Sequence, residues 1–238
     1  MSTATHSRAA ARTTTRRRGH NPLAAPLLLF VAVAAAACGY IAYVLWPRWP
    51  DAPMVGDVPS LPIVIAGTTF NIEPAAIRVP MQRRAGTQER VDLDYLWPSL
   101  VPPDPRAKPT GAAAGRINDR LFVTIASDGA TLSLEERLRD IYPRYLAPEA
   151  LAAPAGLTLR AFRDETPYQG EDLVFESAAP AHFLARCTRH GIANQGTCLM
   201  ERRIGGADVT FRFPRDWLGD WRALAAGIDR LLARLHPQ

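Results

Sequence analysis

Lysine is almost missing from this chain: Lys108 stands alone among 28 basic residues, and the rest are arginine. An arginine excess of that kind, beside abundant alanine and proline, reads as codon bias before it reads as anion recognition. Cysteine is sparse too, with three residues and no C-x-x-C, which removes the thioredoxin-like redox motif and compact zinc patterns. There is no G-x-S-x-G, no S-x-x-K and no G-x-x-x-x-G-K, so the common acyl-serine and P-loop signatures are missing. No segment repeats at a solenoid period.

Acidic residues are missing from residues 1–50, where Arg8, Arg12, Arg16, Arg17, Arg18 and Arg48 lie. Taking those six from the 28 basic residues leaves 22 against 23 acidic ones. The pI of about 9.5 therefore belongs to the N-terminal tail. The remainder is near neutral, which argues against a nucleic acid partner.

Charge of either sign is lacking from Leu27 to Trp46, LLLFVAVAAAACGYIAYVLW. Those 20 residues, at about 1.5 Å each, match a hydrocarbon core of roughly 30 Å. Trp46 and Trp49 gather with Tyr40 and Tyr43 at the C-terminal end, as rings at a membrane interface do. Pro47 and Pro50 stop the helix. Five arginines ahead of Leu27 hold that flank in the cytoplasm. The expected protein is bitopic, in a bacterial inner membrane, with the lipid bilayer as one partner and its main domain in the periplasm.

Two other readings compete. A cleaved signal peptide finds small residues at Ala34–Ala37, but cutting there leaves GYIAYVLW exposed. A lipoprotein signal would place lipid on Cys38, yet Ala35 stands where a larger aliphatic residue is usual. The Arg16–Arg18 run lacks the apolar residue and spacing of a twin-arginine signal.

The expected organisation is a disordered cytoplasmic tail over 1–26, the transmembrane helix over 27–46, a proline-rich stalk over 47–62 and one α+β domain over 63–238. An excursion over 102–118, with four prolines, interrupts that domain. Strand patterns occur at Ile63–Ile72, Leu121–Ala126, Leu157–Arg163, Leu173–Glu176, His182–Cys187, Thr197–Ile204 and Val209–Phe213, with weaker ones at Ala76–Val79 and Val91–Leu96. Ser133 and Glu136 form a capping box ahead of a helix from Leu134 to about Leu146, which Pro143 should kink or shorten. Trp217, Leu218, Trp221, Leu224, Ile228, Leu231, Leu232 and Leu235 trace an apolar stripe on a closing helix. Consecutive strands with short turns predict an antiparallel meander in a two-layer α+β domain, covered by that helix.

Cys187 and Cys198 flank a turn in the oxidising compartment, which predicts a disulfide. His182, Cys187, His190 and Cys198 offer four metal donors, but H-x4-C-x2-H-x7-C fits no compact zinc pattern, so neither a metal nor another cofactor is expected. Asp164, Glu165, Glu171 and Asp172 read as a solvated hairpin turn, and Asp92 with Asp94 as a polar strand face. Trp217 and Trp221, one turn apart, offer a partner surface if exposed. The expected role is a non-enzymatic binding or assembly module for an envelope component; an anchored hydrolase with dispersed catalytic residues is the alternative. Oligomeric state is not legible.

Overall fold

The computed structural model describes residues 24–45, 60–104, 119–127, 132, 134–180, 182–189, 191 and 196–237. The chain divides into two compact units, 1–49 and 50–238. In the first, helix α1 runs over Ala24–Leu45, where alanine, leucine and valine dominate and no charge interrupts. Among the described residues no helix is long and apolar enough to cross a membrane. The expected transmembrane helix over 27–46 is thus without support among the described residues. Trp46 and Trp49, most of the expected stalk and the tail ahead of Ala24 lie outside the described residues.

The second unit opens with a hairpin, β1 (Leu61–Ile65) and β2 (Thr68–Ile72). The run Ile63–Ile72 is thus two strands, because Ala66 and Gly67 both take positive φ, 48° and 77°, and reverse the chain. A short β3 (Gly86–Thr87) pairs parallel to β1 and completes a three-stranded sheet. The weak pattern at Ala76–Val79 gives a 3-10 turn over Pro74–Ala76 and a single bridge from Ile77 to Leu93.

The main sheet has eight antiparallel strands: β4 (Arg90–Leu96), β5 (Arg120–Ala126), β6 (Leu151–Ala152), β7 (Thr158–Ala161), β8 (Glu171–Phe175), β9 (Leu184–Thr188), β10 (Thr197–Ile204) and β11 (Ala207–Pro214). Their order is β4-β5-β11-β10-β9-β8-β7-β6. From β6 to β11 this is the expected meander, and β11 then turns the sheet back to β5 and β4.

One face of the sheet is the main core. Val91, Leu93, Leu121, Val123, Ile125, Val209, Phe211 and Phe213 meet Ile63, Ile65, Phe70 and Ile72 of the small sheet. Helix α3 (Trp221–Leu235) closes this core with Trp221, Leu224, Ile228, Leu231 and Leu235, the stripe expected of it. Its first turn is missing from the expected helix, since Arg215–Asp220 are 3-10.

On the opposite face a second cluster forms around Tyr142, Leu146, Phe162, Leu173 and Leu184. Leu173 and Leu184 can reach it because neighbours along a strand point to opposite sides, so Val174 and Ala185 go to the main core. The segment above it differs from the expected helix. Helix α2 spans only Leu134–Glu136, followed by a π turn to Ile141 and a 3-10 turn over Tyr142–Arg144. Pro143 has no N–H to continue the ladder. Ser133 lies outside the described residues.

Candidate functional site

The aromatic cluster occupies the outer face of the sheet over β8 and β9, and the same face continues over β10, β11, β5 and β4. There the burial alternates strictly along both β5 and β11, inward residues buried and outward ones half-buried or exposed. Register places Asp94, Phe122, Arg212, Leu199 and Arg186 in one row across five strands. The next row holds Asp92, Thr124, Thr210 and Glu201. Phe122, Thr124, Thr210 and Leu199 are half-buried, and Arg212 is exposed.

Each outward carboxylate of these four strands is held by an arginine. Asp92 binds Arg90 at 2.7 Å and accepts from Thr124 Oγ1 at 2.9 Å and Gln82 Nε2 at 3.2 Å. Burial opposes its charge, but those hydrogen bonds prevail and hold the carboxyl below its ordinary value. Asp94 pairs with Arg120, Glu201 with Arg137, and Asp208 with Arg203 at 2.7 Å. Asp94 is 7% exposed and its Oδ1 has no hydrogen-bond partner. Burial pushes its carboxyl up, against the pull of Arg120 and Arg78. The expected polar strand face at Asp92 and Asp94 is therefore a bonded one.

Two arginines of this face hold no carboxylate among the described residues. The Arg78 guanidinium lies over the Phe122 ring, 4.7 Å from its centroid. Arg212 is directly across from the same phenylalanine on the neighbouring strand. Nothing in the sequence singles them out, because arginine is common everywhere.

The residues expected to carry chemistry are placed elsewhere. Cys187 and Cys198 are register partners of β9 and β10 and form a disulfide, Cα–Cα 4.0 Å, fully buried. That removes both thiols from the four-donor set, and no metal-binding group occurs among the described residues. His182 Nδ1 is 2.8 Å from Glu176 Oε2, and His190 lies outside the described residues. Cys38 is a free, exposed cysteine of α1.

The acidic cluster is not a solvated hairpin tip throughout. Asp164 and Glu165 lie in a turn, whereas Glu171 and Asp172 are residues of β8. Asp172 is 5% exposed and receives Arg189 Nε at 2.9 Å and Arg215 Nη2 at 2.7 Å. Arg186 Nε stands 2.7 Å from Glu171 Oε2, an ion pair by distance whose angles fall outside a hydrogen bond. Trp221 is 1% exposed and gives its Nε1–H to the Ala155 carbonyl at 3.1 Å, so it cannot present its ring to a partner. Trp217 is half-buried against Trp97 and Phe213, with ring centroids 5.2 Å and 6.2 Å away.

A cavity of about 610 Å³ lies beside α3, lined by Arg203, Ile204, Gly205, Asp229, Leu232, Ala233 and His236. His236 Nδ1 is engaged with the Thr69 carbonyl at 2.9 Å. The lining has no hydroxyl or thiol, and its titratable side chains are Arg203, Asp229 and His236.

No protein-family model matches the chain and no curated protein is similar to it. Among solved structures, an immunity protein of the Stenotrophomonas maltophilia type IV secretion system is similar in fold, with a TM-score of 0.51 and 15% identity, over 76% of this chain and 94% of that one. The iron-regulated outer membrane lipoprotein FrpD of Neisseria meningitidis aligns with a TM-score of 0.44 and 14% identity, over 77% of this chain and 93% of that one.

Proposed function

We propose that the chain is a single-pass inner-membrane protein whose periplasmic domain binds a protein component of the envelope and has no catalytic role. Residues 1–26 are its cytoplasmic tail, 27–46 its anchor, 47–62 its stalk and 63–238 its binding domain. The observation that carries the binding reading is the outer face over β4, β5, β11 and β10, one half of the eight-stranded sheet running inward from its β4 edge. A sheet face left half-exposed over four strands is a surface kept for something else to cover. The uncharged run with its arginine flank supports the anchor. The Cys187–Cys198 disulfide is in keeping with an oxidising compartment. That one fold neighbour is an immunity protein is in keeping with a protein partner.

The test is photo-crosslinking in whole cells, since Lys108 alone makes amine-reactive reagents a poor choice. A photoreactive phenylalanine is placed at Thr210 on the open face, at Leu151 on the far strand of the sheet, or at Ala226 on the solvent side of α3. A discrete envelope protein captured above controls from at least one position is expected. No capture from any of the three would overturn the reading.

A further inference from the structure

The open face carries a charge surplus at one spot. Its outward acids, Asp92, Asp94, Glu201 and Asp208, are each matched by an arginine: Arg90, Arg120, Arg137 and Arg203. Arg78 and Arg212 remain, both exposed and both beside Phe122. Leu199, across from Arg212 on the other side, is the second half-buried apolar residue of the row. Arg78 over the half-buried Phe122 ring, with Arg212 across from that ring and Leu199 beyond it, makes a spot where a carboxylate gains two donors and an apolar side chain gains a platform on Leu199.

We infer that this spot docks a short acidic segment of a protein partner, its carboxylates on Arg78 and Arg212 and an apolar side chain on Leu199. The inference rests on the binding reading above and names the face and the partner's chemistry. Size selects a segment rather than a broad globular surface. Four strands at about 4.8 Å and seven residues at about 3.3 Å give roughly 19 Å by 23 Å. The resulting ~400 Å² is about half of what a standard stable interface takes from one partner.

Charge selects against the other occupants. A second copy meeting this face with its own would set Arg78 and Arg212 against the same surplus, a like-charge juxtaposition. A flat anionic bilayer would press its headgroups on the four matched acids as well as on the two free arginines. A polypeptide can place carboxylates at two points and leave the rest neutral.

The test reads the Thr210 adduct of the full chain in cells, with the captured peptide identified by mass spectrometry. The expected peptide is rich in aspartate or glutamate. Arg78→Glu and Arg212→Glu should each lower the yield by about fivefold, the scale of one surface ion pair, while Arg212→Lys keeps most of it. An adduct to lipid, an adduct to a second copy, a captured peptide without acidic residues, or a yield unchanged by both reversals overturns the inference. Capture from Leu151 or Ala226 with none from Thr210 also overturns it and leaves the binding reading standing. Silence at all three positions sinks both.

Should the reversals disturb folding, the unaltered chain in detergent is titrated with a fluorescent peptide alternating glutamate and leucine, and with its glutamine counterpart. Binding of the glutamate peptide about 25-fold tighter is expected from two such pairs. Equal binding overturns the inference.

Discussion

Gly227 sits on the buried side of α3, where alanine would ordinarily be the better helix former by about 1 kcal/mol. Here a Cβ would stand 2.7 Å from Trp97 Cζ3. The Trp97 ring is itself backed by Trp217 at 5.2 Å, so it has little room to step aside. Overpacking of this kind costs about 1–3 kcal/mol and outweighs the propensity gain. Gly227→Ala should therefore lower stability by about 1 kcal/mol, whereas Gly219→Ala, with open space around it, should not. Urea unfolding of the two variants decides the point, and a stabilised Gly227→Ala would show that Trp97 yields.

Asp92 gives a second residue-scale expectation. Because its folded carboxyl lies below the ordinary value, it stabilises the fold wherever it is ionised in both states and loses that effect as pH falls through the depressed value. The stability gap between the protein and Asp92→Asn should be open at pH 7 and close below about pH 3.8, the ordinary aspartate value. Asp94 acts with the opposite sign. Its raised value means that protonation in the fold adds stability as pH falls toward the same point, so unfolding must be compared variant by variant. A gap for Asp92→Asn that widens in acid would contradict the bonding around it. None of this was legible beforehand: alternation put Asp92 and Asp94 on one strand face, but their arginine partners come from other segments.

At the scale of elements, local pattern was a good guide where structure is local. Strand β10 has the bounds its β-branched and apolar residues announce, and the stripe from Trp221 to Leu235 is the buried face of α3. Pattern failed where a distant partner or a missing donor decides. Nothing near β11 says that it pairs with β5, some eighty residues earlier, or that β1, β2 and β3 form a sheet of their own. Pro143 was visible, but not that the helix would survive as a single α turn.

The hairpin of β9 and β10 was legible through its cysteines, and it carries a prediction. Both sulfurs are fully buried, so the pair should resist reductant and alkylation in the folded protein and label only after unfolding. By loop entropy, a crosslink across 11 positions contributes about 3 kcal/mol. Cys187→Ser with Cys198→Ser should lower unfolding stability by about that amount. Intact mass with and without reductant, before and after urea, checks the bond itself. Two thiols that alkylate readily without denaturant would count against this packing.

For the whole molecule, tethering and a small docking face belong to one physical argument. A surface of ~400 Å² holds a partner weakly in free solution, and tethering beside a partner would raise the effective concentration at which the two meet. The proposed anchor would supply what the face lacks, and its loss should be felt at the face. Arginines placed at Val33 and Ala35, mid-run in α1, would each cost about 2.5–3.5 kcal/mol of insertion. The unaltered chain should stay with the membrane through alkaline carbonate extraction, and the doubly substituted chain should leave it. In the same cells the adduct from Thr210 should fall with the anchor even though every residue of the sheet is unchanged. Release of the unaltered chain by carbonate would remove the anchor. A Thr210 adduct indifferent to membrane attachment would show that the face binds strongly enough alone, and the area argument would be wrong.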